Sequence, residues 1–268
     1  MRMVVFWRTM IDAAGLRALT LDLDDTLWPM RPTIERAEAA LQAWLETHAP
    51  ATAARLRDRA WARAVRAGVQ RDHPDRHHDL TFLRREAIRV ALRESGDDPA
   101  LAEPAFEVFY AERQRVELFA DARPALERLA ARWPLVAVSN GNADVRRVGL
   151  GDYFVAHVGA REAGVAKPHP GIYQAALAAA GVAPQAALHV GDDPLLDVVG
   201  ARRAGLAAVW VNRHGHDWDA ALQPKDCGCG GGDMARALHA GGVQPQPHER
   251  PHAQVAHLLE LCERLGLA

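Results

Sequence analysis

Ala18-Leu-Thr-Leu-Asp22-Leu-Asp24-Asp25-Thr26-Leu27-Trp28 is the stretch on which the reading of this chain turns. An apolar run ends there in three carboxylates within four residues. Short apolar runs bounded by turn-forming residues fit strands buried in a parallel sheet. Open α/β sheets bind their ligands at the carboxyl ends of such strands. Three acids so close repel one another unless a cation neutralises them, and Mg2+ prefers carboxylate oxygens and often bridges them to phosphate. Standing alone, Asp-x-Asp would read more readily as a solvated acidic turn.

Three later segments supply further chemistry in order. Pro134-Leu-Val-Ala-Val-Ser139-Asn140-Gly141 is a second apolar strand ending in a hydroxyl and a turn. Ala166-Lys167-Pro168-His169-Pro170 sets a lysine ahead of a helix that starts near Gly171. Ala187-Leu-His-Val-Gly191-Asp192-Asp193-Pro194 is another strand ending in acids, with Asp197 following. The patterning predicts core strands at 16–23, 135–139, 154–158, 187–191 and 206–211, separated by helices such as 123–132, 171–180 and 195–204. Strands alternating with helices imply an α/β fold with a parallel, Rossmann-like sheet. Between the first two strands, 33–46, 51–67, 80–94 and 99–117 read as amphipathic helices, an inserted helical bundle. The expected division is 1–32 with 119–268 for the sheet domain and 33–118 for the helical insert.

Composition narrows the function classes. The 268 residues are 49% hydrophobic and 25% charged, enough for a good core plus a smaller module. A net charge of -2 offers no basic footprint for nucleic acid. No apolar run approaches the roughly 20 residues that span a bilayer, and the apolar patch within Met1–Met10 is interrupted too soon for a signal peptide, so it reads as an extended segment packed on the core. Three cysteines make no disulfide framework, which suits a reducing cytoplasm. Neither a membrane nor a nucleic acid is expected as a partner, and the protein reads as a monomer or homodimer.

The ordered set Asp22-x-Asp24-x-Thr26, Ser139-Asn140, Lys167-Pro168 and Gly191-Asp192-Asp193 with Asp197 resembles the haloacid dehalogenase superfamily. That resemblance implies an insert acting as a helical cap over the site. It also implies Asp22 as a nucleophile that forms an aspartyl-phosphate and Asp24 as the acid that protonates the leaving alkoxide, then the base that deprotonates water. Mg2+ would be held by Asp22, the backbone carbonyl of Asp24 and Asp192, while Ser139, Asn140 and Lys167 would hold phosphate oxygens. Thr26, Asp193 and Asp197 would stand behind them, with the choice of Asp192 over Asp193 as the direct metal ligand left open. The dehalogenases of the superfamily need no acid for a departing halide, so Asp24 points to phosphoryl transfer; its competing reading is a helix N-cap.

Within the superfamily, the stretches 18–27, 132–142, 149–154 and 188–193 are similar to bacterial pyrimidine phosphatases that act on 5-amino-6-(5-phosphoribitylamino)uracil and flavin mononucleotide in riboflavin synthesis. The implied substrate is a small phosphorylated metabolite, sugar- or nucleotide-like. A phosphomutase, or a phosphate-binding regulator without turnover, remains open beside the phosphatase. In the insert, Thr81, Arg84, Arg85 and Ile88 fall on one side of a helix, so Arg84 or Arg85 can meet the substrate or can be salt-bridged surface behind an Asp79 cap. His77 and His78 read as exposed. Cys227, Cys229, His239, His248, His252 and His257 fit no zinc spacing, so 223–252 reads as a Gly/Pro-rich loop and 255–265 as a closing helix.

Overall fold

The fold is that of a computed structural model, which describes residues 13–222 and 245–267. The segment Met1–Met10, Cys227, Cys229 and His239 lie outside the described residues. β1 (Ala18–Leu21) is buried along its whole length. It pairs in parallel with β2 (Leu135–Ser139) on one side and β4 (Ala187–Gly191) on the other. β3 (Ala156–Gly159) extends the sheet beyond β2, and β5 (Ala207–Val211) and β6 (Ala253–Val255) extend it beyond β4. The order is β3-β2-β1-β4-β5-β6, with every pairing parallel. From β1 the chain runs outward to β3 and then crosses back to β4, so the strand order reverses at β1. In open parallel sheets such a reversal opens a crevice at the carboxyl ends of the strands. Asp22 is the first residue past β1 and therefore stands at that crevice.

The strands are almost unbrokenly apolar because a parallel sheet is covered on both faces. In the central strands β1 and β4, Thr20 and His189 are the exceptions, and they are register partners. At the C-terminal end the expected helix over 255–265 is corrected. Ala253–Val255 is instead an edge strand registered on Val209 and Val211, and the helix spans Leu258–Arg264. The His257 ring accepts the Glu260 N–H at 3.1 Å, and this cap sets the later start.

The described chain forms two compact units, one of residues up to Trp28 and from Leu118 onward, the other of Pro29–Glu117. The second contains α1 (Met30–His48), α2 (Pro50–Leu56), α3 (Arg59–Asp72), α4 (Leu80–Ser95) and α5 (Ala102–Arg113). Leu41 and Leu45 of α1, Leu92 of α4 and Phe106 and Phe109 of α5 share one core. Val65 and Val69 of α3 meet Leu83 and Ala87 of α4 in another. The single helix expected over 51–67 breaks because the Asp58 carboxylate accepts the N–H groups of Ala60 and Trp61 at 2.9 and 3.2 Å and starts a new one. Such a cap is worth about 1 kcal/mol.

Candidate active site

The loop after β1 is tightly folded. Asp22 N–H still bonds Val190 O at 2.9 Å, which holds this residue to β4. Asp25 then takes a left-handed φ of 57°, and its N–H bonds Trp28 O at 2.7 Å. The turn returns the Thr26 hydroxyl to within 3.4 Å of Asp22 Oδ2 and 3.3 Å of Asp192 Oδ1. Trp28, fully buried, donates its indole N–H to Asp24 Oδ1 at 2.8 Å.

Lys167 is buried and ion-paired to both Asp22 and Asp197, the latter at 2.6 Å. Asp197 receives three donors: Lys167 Nζ, His189 Nε2 at 3.2 Å and the backbone N–H of Asp193 at 2.9 Å. His189 is held from its other side, where Nδ1 lies 2.7 Å from the Thr20 hydroxyl. Because a carboxylate can only accept, Nε2 carries the proton and Nδ1 accepts from Thr20. A polar line thus runs from Thr20 through His189, Asp197 and Lys167 to Asp22. Gly191 makes room for it, since a Cβ there would stand 2.3 Å from the Asp197 carboxyl carbon.

Geometry sets the two acids that follow β4 apart. Asp193 Oδ1 accepts the N–H groups of Leu195 and Leu196, both at 2.8 Å, and serves as a cap. Asp192 instead joins Asp22 and Asp197 in a cluster whose carboxylate oxygens lie within 4.8 Å of one another. Trp210 fixes its backbone by donating to Asp192 O at 2.8 Å. Ser139 Oγ accepts the Gly141 N–H at 3.0 Å. The Asn140 side chain spans the Lys167 backbone, accepting its N–H at 2.7 Å and donating to its carbonyl at 2.9 Å. Asn140 thus orients the lysine.

The electrostatics follow from this crowding. Burial pushes the Asp22 carboxyl up to about 8, with Asp197 and Asp24 adding to the rise and Lys167 opposing it. Burial also raises Asp192 well above the ordinary range, helped by Asp22 and Asp197. Burial works against the charge of Asp197, but Lys167 and His189 outweigh it and hold that carboxyl low. Burial lowers His189, which stays neutral. One lysine, ion-paired to both Asp22 and Asp197, cannot compensate three buried carboxylates. Asp22 and Asp192 are left as all-oxygen donors with excess negative charge, which fits a hard divalent cation.

Arg84 and Arg85 lie in the helical unit, each with partners there. Arg84 pairs with Glu38 and sits over the Phe109 ring, 4.1 Å from its centroid. Arg85 pairs with Glu103 at 3.0 Å and sits 4.8 Å over Phe106. Asp79 caps α4 through the Phe82 N–H at 2.9 Å, as one of the two sequence readings had it. His252 bonds the Ala208 N–H at 3.2 Å and meets Arg202 at 3.3 Å, and His257 is the cap described above.

Sequence reasoning passed over Thr20, His189, Trp28 and Trp210. For the first two a signal existed. Each is a polar residue inside an apolar strand, and buried polar groups almost always have partners.

The profile of the haloacid dehalogenase-like hydrolases matches residues 16–205. The chain belongs to this family. It is 36% identical over 217 residues to the 5-amino-6-(5-phospho-D-ribitylamino)uracil phosphatase YigB of Escherichia coli K12, covering 78% of this chain and 90% of that one. It is 38% identical over 150 residues to a phosphoserine phosphatase of Thermus thermophilus, covering 54% and 57% of the two chains. Among solved structures, a 2-haloacid dehalogenase from Pseudomonas syringae pv. tomato DC3000 superposes with a TM-score of 0.75 at 35% identity, covering 94% of this chain and 98% of that one. The first two of these relatives are phosphatases, and the third protein is a dehalogenase of the same family. No helix of the described residues is long and apolar enough to cross a membrane.

Proposed function

We propose that the protein is a Mg2+-dependent phosphatase of small sugar- or nucleotide-like phosphomonoesters, acting through an aspartyl-phosphate on Asp22. The observation that carries this reading is the convergence of Asp22, Asp192 and Lys167 at the end of β1, with Asp24 two residues beyond the nucleophile. Asp22, Asp192 and the carbonyl of Asp24 would hold the metal, which supplies charge neutralisation for the phosphoryl group and the acids around it. Asp22 attacks phosphorus, the ester bond breaks, and Asp24 gives its proton to the departing alkoxide. Asp24, now a carboxylate, takes a proton from water, which attacks the acyl phosphate and frees Asp22 and inorganic phosphate.

Lys167 stabilises negative charge on the transferring oxygens, and its two carboxylate partners keep the ammonium charged and in place. The Ser139 hydroxyl, whose oxygen already accepts from Gly141, donates its own proton to a phosphate oxygen. Arg84 and Arg85 are the insert residues nearest in kind to a leaving-group contact, in a helical unit that would act as a cap over 33–118. The similarity to the E. coli phosphatase favours a ribityl-type phosphate; a riboflavin-pathway intermediate or flavin mononucleotide, handled in the cytoplasm, is the substrate proposed.

The likeness to a 2-haloacid dehalogenase favours a second reading, halide displacement by the same Asp22. Halide leaves without a proton, so that reaction has no use for Asp24. A panel of phosphorylated metabolites and 2-haloacids, with free phosphate and free halide measured with and without Mg2+, separates the two. Phosphate release that depends on Mg2+ is the expected result. Halide release without phosphate release would replace this reading with the other.

A further inference from the structure

We propose that Trp28 is a positioning residue that aims the carboxyl group of Asp24 for proton transfer. The inference rests on Asp24 being the acid and base, as proposed above, and assigns Trp28 a part in the same reaction. Its indole N–H donates to Asp24 Oδ1 at 2.8 Å, and the ring is fully buried. The backbone closes the same loop around this contact. Asp24 and Trp28 form a bridge, Asp25 N–H bonds Trp28 O at 2.7 Å, and Leu27 N–H bonds Leu23 O at 2.8 Å. From outside the loop, Phe119 N–H bonds Leu27 O at 2.9 Å. The ring therefore has one place to be, and its N–H has one direction.

The consequence for Asp24 follows from what an indole can do. It donates and never accepts. Oδ1 must remain an acceptor whether Asp24 is neutral or ionised, so the exchangeable proton is confined to Oδ2. An aspartate side chain otherwise has a broad terminal torsion and two equivalent oxygens. Trp28 removes both freedoms, so the carboxyl presents the same oxygen to the leaving group in the first half-reaction and to water in the second. Misplacement of a reacting group by about 1 Å can cost about a hundredfold in rate, so holding it matters. The bond also spares the buried indole N–H from being left unsatisfied, which is why the contact persists through both protonation states.

The test compares leaving groups in the Mg2+-loaded full chain. Flavin mononucleotide, or the best alkyl phosphate the wild type turns over, needs the acid; p-nitrophenyl phosphate does not. The parameter to read is kcat/KM, which ends at departure of the leaving group and omits the common dephosphorylation step. Trp28→Phe removes the donor and keeps an aromatic ring. Single-site replacement by 3-benzothienylalanine keeps the bicyclic shape as well, so the experiment does not depend on one variant folding. Asp24→Asn is run beside them. The alkyl-to-aryl ratio, taken on one sample, is independent of the fraction of folded enzyme.

The expected result is that both Trp28 replacements lower kcat/KM for the alkyl ester about ten- to a hundredfold, part of the ~10²–10⁴ of a general acid, with p-nitrophenyl phosphate changed by less than about threefold. Equal losses on both substrates, or no loss, while Asp24→Asn still separates them, would overturn the role of Trp28 and leave Asp24 as the acid. If Asp24→Asn itself fails to separate them, the acid assignment falls and this inference with it.

Discussion

Asp22 and Asp24 lie two residues apart, yet their surroundings assign them different work. Asp22 faces Lys167 and the other carboxylates, whereas Asp24 Oδ1 faces an indole N–H. Asp22→Asn is nearly isosteric and cannot attack phosphorus, so phosphate release by the folded variant is expected to fall to background even in saturating Mg2+. Appreciable turnover by that variant would remove the covalent intermediate from the mechanism. Asp24→Asn keeps the backbone carbonyl proposed for the metal, so half-saturation by Mg2+ is expected to stay near the wild-type value. Its alkyl phosphate turnover is expected to drop about 10²–10⁴-fold. A Mg2+ titration of activity for each variant reads both quantities.

At the scale of an element, the turn after β4 shows how a short segment sets the geometry of the site. Gly191 leaves its Cα bare for the Asp197 side chain, which returns from the following helical turn to hold Lys167. Gly191→Ala would place a methyl 2.3 Å from the Asp197 carboxyl carbon, where His189, Lys167 and the Asp193 N–H already fix it. The expected result is a loss of about 1–3 kcal/mol of stability from overpacking, together with a marked fall in phosphatase rate as Lys167 loses its register. Denaturant unfolding and phosphate release measure the two effects separately. In α4, Arg84 combines a carboxylate partner with an aromatic face. Arg84→Ala is therefore expected to cost about 1–2 kcal/mol, the sum of a partly exposed ion pair and a cation–π contact. A rise in KM for flavin mononucleotide but not for p-nitrophenyl phosphate would add a leaving-group contact to that structural role.

Across the whole molecule, one buried and two half-buried histidines link stability to pH. Burial lowers His157, His189 and His252 below the ordinary histidine value. Between that lowered value and about 6.5 the unfolded chain binds more protons than the folded one, so stability falls as pH drops through about 6.5. Glu38, Asp121 and Glu249 are lowered carboxylates, whose contributions are lost only at more acid pH. Asp22, pushed up to about 8, works in the opposite sense in the metal-free protein, because its protonation on acidification relieves buried charge. Comparing wild type with His189→Gln isolates one histidine from these terms. The stability advantage of wild type over that variant is expected to shrink from about pH 7.5 to about pH 5.5, as read by thermal melts at each pH. A constant difference would mean that His189 titrates alike in the folded and unfolded chains.

The amino-acid sequence by itself determined the alternation of strands and helices, the helical insert after the first strand, and the family, because apolar period and motif order are local properties of a chain. Asp22 and Lys167 stood out for the same reason: Asp22 follows a strong strand pattern, and Lys167 stands just ahead of a helix. Sequence did not separate Asp192 from Asp193, since adjacent acids differ only in where their side chains point. The tertiary structure separates them by giving Asp193 two backbone N–H groups to cap and Asp192 the company of Asp22. The brace that Asn140 forms on Lys167 was not legible in the sequence because its partner lies 27 residues away on another loop. The pairing of Thr20 with His189 spans 169 residues and exists only when β1 and β4 lie in register. β6 escaped notice because three residues at a sheet edge carry too little periodicity, and only β5 beside them makes them a strand. Local patterning names the elements and their terminal residues; which polar groups satisfy one another is decided by contacts between distant strands, where burial leaves each of them few partners to choose from.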